Sequence, residues 1–265
     1  MKKFIITTIY FLFIVAAFAQ KGIDGLIQAE KNFAAYSVAN STKEAFLKFM
    51  DSSSLVFDNG KAVNGIEFWE KREKRPGVLN WQPIYASISS SGDFGFTSGP
   101  WTFQYSKDDS IVARGIYTTV WHINKNGEWK FLIDLGVDNT PAITDTVLKV
   151  LTTGKNTKTG SLKSLLLTEK KYINFSMQAA SSADLYFSSS AILHRNGKKP
   201  EDGLQTKRTF PDKVEYEIAG SGIASSGDFG FVYGNSVING KSDNYLRIWR
   251  RKRNYWKIAV EVLRY

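Results

Sequence analysis

The sequence predicts an α+β protein made of two tandem copies of one unit, each with helices first and an antiparallel sheet after them. Three observations predict it. The stretch Ser90-Ser-Gly-Asp-Phe-Gly-Phe96 recurs letter for letter as Ser225-Ser-Gly-Asp-Phe-Gly-Phe231, 135 positions later. Self-similarity at a fixed offset is the mark of a repeated structural unit. In each half the apolar period changes once, from helical to alternating. Other counterparts keep the order. Glu30 and Ser37 reappear as Glu169 and Ser176, Tyr117 to Trp121 as Tyr245 to Trp249, and Trp129-Lys130 as Trp256-Lys257.

In copy one, Ile23, Leu26, Ile27, Phe33 and Ala34 fall near helical spacing. Ser41-Thr-Lys-Glu44 reads as a capping box opening a second helix, with Ala45, Phe46, Phe49 and Met50 as its apolar face. Ser54 to Phe57 is a short strand, followed by the turn Asp58-Asn-Gly60. Glu67 to Arg75 reads as a third helix stopped by Pro76. From Trp81 to Leu135 alternation and β-branched residues predict about four antiparallel strands, with hairpins at Gly92-Asp93, Lys107 to Ser110 and Asn124 to Gly127. Copy two repeats the plan. Leu165, Leu166, Tyr172, Ile173 and Met177 give the first helix, Ser181 and Asp184 have capping-box spacing, and Asn196-Gly197 echoes Asn59-Gly60. Strands follow from Val214 onward. The repeated motif itself reads as structural. Its Gly supplies a positive φ, its Asp caps the turn, and its two Phe share one side of the next strand.

Residues 1–19 read as a signal peptide: Lys2-Lys3, an apolar run from Phe4 to Val15, then Ala17-Phe-Ala19 before a cleavage at Gln20. The expected location is outside the cytoplasm, periplasmic or secreted, with no membrane span after cleavage. The chain has no cysteine, so packed cores alone must stabilise it. The expected divisions are copy one at 20–137, a linker rich in Thr, Asn, Lys and Gly at 138–161, and a diverged copy two at 162–265. Within the linker, Val147 to Leu151 has the makings of a helical turn. The net charge of +10 is uneven. Residues 20–140 hold 13 basic against 14 acidic side chains, and residues 161–265 hold 17 against 10.

Copy one carries Ala29-Glu30, Phe33, Ala45-Phe-Leu47, Val56-Phe57, Ser91-Gly-Asp-Phe-Gly-Phe-Thr-Ser-Gly-Pro-Trp101, Gly115 to Trp121, Asn126-Gly-Glu-Trp-Lys130 and Asp134 in that order. The set resembles the SnoaL-like domains of unknown function in the nuclear-transport-factor-2-like superfamily. Copy two resembles them over its last sixty residues. It departs at Gly234-Asn-Ser236, where Gly-Pro-Trp is expected, and at Asn254-Tyr255, where Gly precedes the final Trp. The resemblance implies two cystatin-like cones, each a bent antiparallel sheet around helices with a pocket at the wide end. It also implies members that are isomerases, cyclases, dehydratases or non-catalytic binding domains. Many dimerise through the outer sheet face, so a tandem chain is expected to be a monomer that makes this contact internally, as a pseudo-dimer.

The candidate acids close a shared pattern, Trp129-Lys130 to Asp134 and Trp256-Lys257 to Glu261. Strand alternation groups Lys130, Leu132 and Asp134 on one face, and Trp129, Phe131, Ile133 and Leu135 on the other. An acid among apolar residues would have a raised pKa suited to proton transfer. Trp81, Trp101 and Tyr117 are candidate aromatic pocket walls in copy one, and Tyr233 and Tyr245 in copy two. Trp121 and Trp249 read as core. His122 and His194 have no acid at dyad spacing and read as solvated loop residues. No metal site, cofactor motif, phosphate loop or nucleophile elbow is apparent. Arg250-Arg-Lys-Arg253 reads as a solvated hairpin tip, with an anionic surface as its alternative partner; nucleic acid is not expected.

The expected function is binding of a small, largely apolar molecule or a protein surface, without catalysis. The alternatives are a cofactor-free isomerase, cyclase or dehydratase using Asp134 as acid–base, and a structural envelope-assembly module. An enzyme needs a polar group deep in an open apolar pocket, whereas a non-catalytic module tolerates a collapsed one.

Overall fold

The computed structural model describes residues 22–144, 146–152, 159–178, 184–202 and 213–265. The expected signal peptide and Ser181 lie outside them. Copy one opens with α1 (Ile23–Ala39). Leu26, Ala29, Glu30, Phe33, Ala34 and Ser37 form its buried stripe. Next, α2 (Thr42–Phe49) begins at a capping box: Ser41 Oγ accepts from the Glu44 backbone at 3.2 Å and donates to its carboxylate at 2.6 Å. After β1 (Met50–Asp58) and β2 (Lys61–Asn64), α3 spans Gly65–Glu70. It is shorter than the predicted 67–75. Asn64 caps it earlier, and the charged run Lys71 to Arg75 offers no apolar residue for a further turn to bury. Strands β3 (Val78–Trp81), β4 (Tyr85–Ile88), β5 (Phe94–Gln104), β6 (Ala113–Ile123) and β7 (Trp129–Asp138) complete the sheet.

The segment after β7 was expected to be an exposed linker with a helical turn. Much of it is exposed, but the helical turn is absent. Instead β8 (Lys149–Val150) pairs parallel to β4, and Leu151 packs beside the core between the sheets. Copy two follows with α4 (Leu162–Gln178), a 3-10 turn at Asp184–Tyr186, and six strands: β9 (Phe187–Arg195), β10 (Glu201–Asp202), β11 (Glu215–Ile223), β12 (Phe229–Ile238), β13 (Lys241–Lys252) and β14 (Tyr255–Leu263).

The two sheets share one order. The first runs β2-β1-β7-β6-β5-β4-β8, with β3 also on β5, and the second runs β10-β9-β14-β13-β12-β11. Each inserts its first strand parallel to its last, β1 on β7 and β9 on β14, where a simple antiparallel meander was expected. Each last hairpin also carries a bulge at the same place, between Val120 and Trp121 and between Ile248 and Trp249.

The bulge overturns simple alternation. Trp129 and Phe131 pack with the helices, while Ile133, Leu135 and Val137 enter the core on the other side. Asp134 therefore shares the helix side with Trp129 and Phe131.

The outer faces of the two sheets meet in one apolar core. It holds Phe94, Phe96, Val120 and Ile133 from copy one with Phe229, Phe231, Ile248 and Val260 from copy two. The repeated motif lies at its end, against its own duplicate. Ser90 donates to the Asp228 carboxylate from both its backbone and its hydroxyl, and Ser225 Oγ donates to Asp93 at 3.2 Å. Ser91 and Ser226 join at 3.1 Å, and Phe94 stacks on Phe231 at 6.0 Å. Residue contacts counterpart in both directions, as at a two-fold interface. Gly92 and Gly227 take φ of 72° and 64°, the left-handed turn that glycine enters without strain.

Candidate functional site

The helix side of copy one encloses a cavity of about 360 Å³. Its apolar wall includes Phe33 from α1, Phe46 from α2, Trp81 from β3 and Trp101 from β5. Its polar groups include Tyr117, Thr119, Asp134 and Asp138, with Arg72 and Arg264. Trp81, Trp101, Tyr117 and Asp134, singled out from the sequence, all line it. Trp101 lies across Gly115, where a Cβ would come within 2.6 Å of its indole nitrogen. Arg264 comes from copy two, so both copies contribute to the cavity.

Burial of Asp134 pushes its carboxyl up to about 6, against the Thr119 hydrogen bond and the charge of Arg264. Thr119 Oγ1 donates to it at 2.7 Å. Trp69 Nε1 is buried and has no hydrogen-bond partner among the described residues. Burial, helped by the Glu30 and Asp134 carboxylates, holds the Tyr117 phenol well above its ordinary range against a hydrogen bond with Thr97, so it is a neutral hydroxyl.

A second acid was missed as a site residue. Glu30 of α1 is completely buried. It accepts from Trp81 Nε1 at 2.5 Å, Trp121 Nε1 at 3.1 Å and Thr97 Oγ1. Burial pushes it up to about 7 despite these donors. Its recurrence as Glu169 was visible in the sequence, and an acid repeated within a helix's apolar stripe was the signal.

The copy-two candidates do not form a matching cavity wall. Tyr233 lies between the sheets, stacked on Phe231 at 6.3 Å and edge-on to Phe57 at 6.1 Å. Tyr245 packs against the buried guanidinium of Arg247. Glu261 accepts from Arg247 Nε at 2.7 Å, Arg195 Nη2 at 2.5 Å and Tyr172 Oη at 3.1 Å. Burial pushes Glu261 up, but Arg195 and Arg247 outweigh it and hold the carboxyl below its ordinary value. Arg247 also binds Glu169. None of these arginines was singled out, because a basic residue on a strand reads as solvent-facing until an acid is found behind it.

Three further expectations change. Arg250 and Arg251 are buried, at 7% and 8% exposure, rather than solvated at a hairpin tip. The turn itself is Arg253-Asn254, both at positive φ. Arg250 reaches Ser87 Oγ of copy one and the Leu151 carbonyl of the segment between the copies. An anionic partner could thus meet only Lys252 and Arg253 of the four. His194 is not a solvated loop residue: it is fully buried on β9, its Nδ1 3.1 Å from Thr118 Oγ1 of copy one. His122 does meet an acid, with Nε2 3.0 Å from Asp51 Oδ2. Trp121 and Trp249 are core residues, each with its indole nitrogen on the buried glutamate of its copy. Among the described residues no cluster of three metal-ligating side chains occurs, and no helix is long and apolar enough to cross a membrane.

No family model matches the sequence, and no curated protein does. Solved structures resemble it over the length of one copy. A nuclear-transport-factor-2-like protein of unknown function from Shewanella oneidensis is 17% identical, with 43% of this chain and 96% of that chain covered and a TM-score of 0.35. A putative ketosteroid isomerase from Parabacteroides distasonis is 14% identical, with coverages of 46% and 90% and a TM-score of 0.34. The association domain of CaMKII from C. elegans is also 14% identical, with coverages of 43% and 92% and a TM-score of 0.34. The likenesses accompany the architecture described above, an α+β chain of two helix-on-sheet units, and carry no function across.

Proposed function

We propose that copy one binds a small, largely apolar molecule bearing one polar group, and that copy two serves as its packing partner in a monomer that acts in the periplasm or outside the cell. One observation carries the reading. An aromatic-walled cavity of about 360 Å³ carries a carboxylate, Asp134, with the Thr119 hydroxyl bonded to it, on an otherwise largely apolar wall. That volume is within the range of small-molecule sites. A ligand's apolar body would cover the aromatic wall while its polar group meets Asp134 or Thr119. Native mass spectrometry of the purified protein against a panel of small aromatic alcohols and ketones tests the idea. Uptake should be one molecule per chain, and Trp101→Ala should weaken it about tenfold. A wild-type chain that takes up none of the panel would end the reading.

A second reading is favoured by the Asp134 carboxyl at about 6 on the cavity wall, near the neutral Tyr117 phenol. In this reading the site moves a proton on the bound molecule, with Asp134 as acid–base and Tyr117 donating to the oxygen where charge builds. Asp134→Asn should then abolish turnover and leave binding of a neutral ligand intact. Undiminished turnover in that variant would leave only the binding role.

A further inference from the structure

Copy two already holds a cation where copy one has space. Arg247 is fully buried, and its guanidinium carbon lies 4.4 Å from the ring centre of Tyr172, 4.1 Å from Tyr216 and 4.4 Å from Tyr245. Glu169 and Glu261 neutralise it. The registers identify the copy-one counterparts. Thr119 pairs with Asp134 as Arg247 pairs with Glu261. Trp81 pairs with Trp101 as Tyr216 pairs with Ser236, and the repeated motif aligns Trp101 with Ser236. Tyr172 and Tyr245 occupy the places of Phe33 and Tyr117. Phe33, Trp81 and Tyr117 all line the cavity. Aromatic residues and a carboxylate occupy these positions in both copies. The guanidinium is present in one, and a threonine hydroxyl replaces it in the other.

We infer that the copy-one cavity takes an organic cation, an ammonium or guanidinium group on an apolar body, seated on the Asp134 carboxylate among the rings of Phe33, Trp81 and Tyr117. The inference rests on the binding role proposed above and narrows its ligand class. Aromatic faces and a desolvated carboxylate are the chemistry that selects a cation. The arginines lining the cavity do not compete for Asp134 by contact. Arg72 is 3.4 Å from Asp58, and Arg264 is 3.5 Å from Asp138 and 3.8 Å from Asp243. Among the described residues, the hydrogen bond to Asp134 comes from neutral Thr119. Copy two shows what a cation does to this arrangement: Glu261 is held below its ordinary value, whereas Asp134 is pushed up to about 6.

The experiment uses the full chain and three probes of similar size: phenyltrimethylammonium, its uncharged isostere tert-butylbenzene, and benzenesulfonate. Binding is followed by tryptophan fluorescence and calorimetry. The cation should bind at least about tenfold more tightly than the isostere, and the sulfonate most weakly. Asp134→Asn should bring the cation down to the isostere's affinity and leave the isostere unchanged. Thr119→Arg supplies the cation from the chain itself. It should keep the wild-type circular dichroism spectrum and bind none of the probes. Equal affinity for cation and isostere, a preference for the sulfonate, or an Asp134→Asn variant with wild-type affinity for the cation would overturn the cation assignment while the binding role stands. Failure of all three probes to bind the wild type would overturn both.

Discussion

Where β6 of the first copy carries Thr119, β13 of the second carries Arg247. Around this exchange much else is alike: a buried glutamate from the first helix, an acid on the last strand, a tryptophan on the glutamate and the same bulge beside it. The two interiors are nonetheless stabilised by different physics. In copy one Glu30 is held by three neutral donors and keeps a raised pKa, and space remains beside Asp134. In copy two the guanidinium fills the aromatic box and ties both acids together. One side chain thus separates a cavity beside a carboxylate from an ion-paired core.

Removing that side chain is the severest test of the contrast. Arg247→Met should cost about 3–5 kcal/mol, because it leaves Glu169 buried without its cation. Denaturant unfolding measures this, and a loss below about 1 kcal/mol would show that the ion pairs are incidental to the second core. A smaller effect should appear as opposite pH slopes. Glu30 has a folded pKa of about 7 against an ordinary 4.5, so the folded chain holds that proton more tightly than the unfolded one. Its contribution therefore falls as pH rises between about 4.5 and about 7, by up to about 3 kcal/mol. Glu30→Gln should gain on the wild type across that window. Glu261 is shifted the other way, so its contribution is present above its ordinary value and lost as pH falls below it. Glu261→Gln should accordingly lose most near neutrality. Parallel pH profiles for the two variants would contradict the contrast.

The smallest effect concerns the shared motif. Asp228 is buried and accepts from Ser90 twice and from Ser226, whereas Asp93 is half-buried. Asp228→Ala should cost about 1–3 kcal/mol and Asp93→Ala less than about 1 kcal/mol. Equal losses would mean that the identical sequences are also energetically equivalent.

The α+β class, the duplication and most turns were legible in the sequence because each depends on local signals: a period, a cap, a positive-φ glycine. The capping box at Ser41 is the clearest case. Four cavity residues were legible as well, since aromatics and an acid among strand residues are a local pattern, although the face they share was not. What stayed hidden is set at long range. The bulge that brings Asp134 to the helix side depends on how β6 meets β7. The burial of Arg195, Arg247 and Arg250 depends on partners 66, 78 and 163 positions away. The parallel insertion of β1 beside β7 leaves no mark in either strand alone.

A symmetric homodimer cannot alter one half without altering the other, since every codon is read into both. Here the interface built from the repeated Ser-Ser-Gly-Asp-Phe-Gly-Phe segment keeps its mirror-like reciprocity, yet each partner is encoded separately. A hollow half and a filled half can therefore coexist at a fixed one-to-one ratio within one chain.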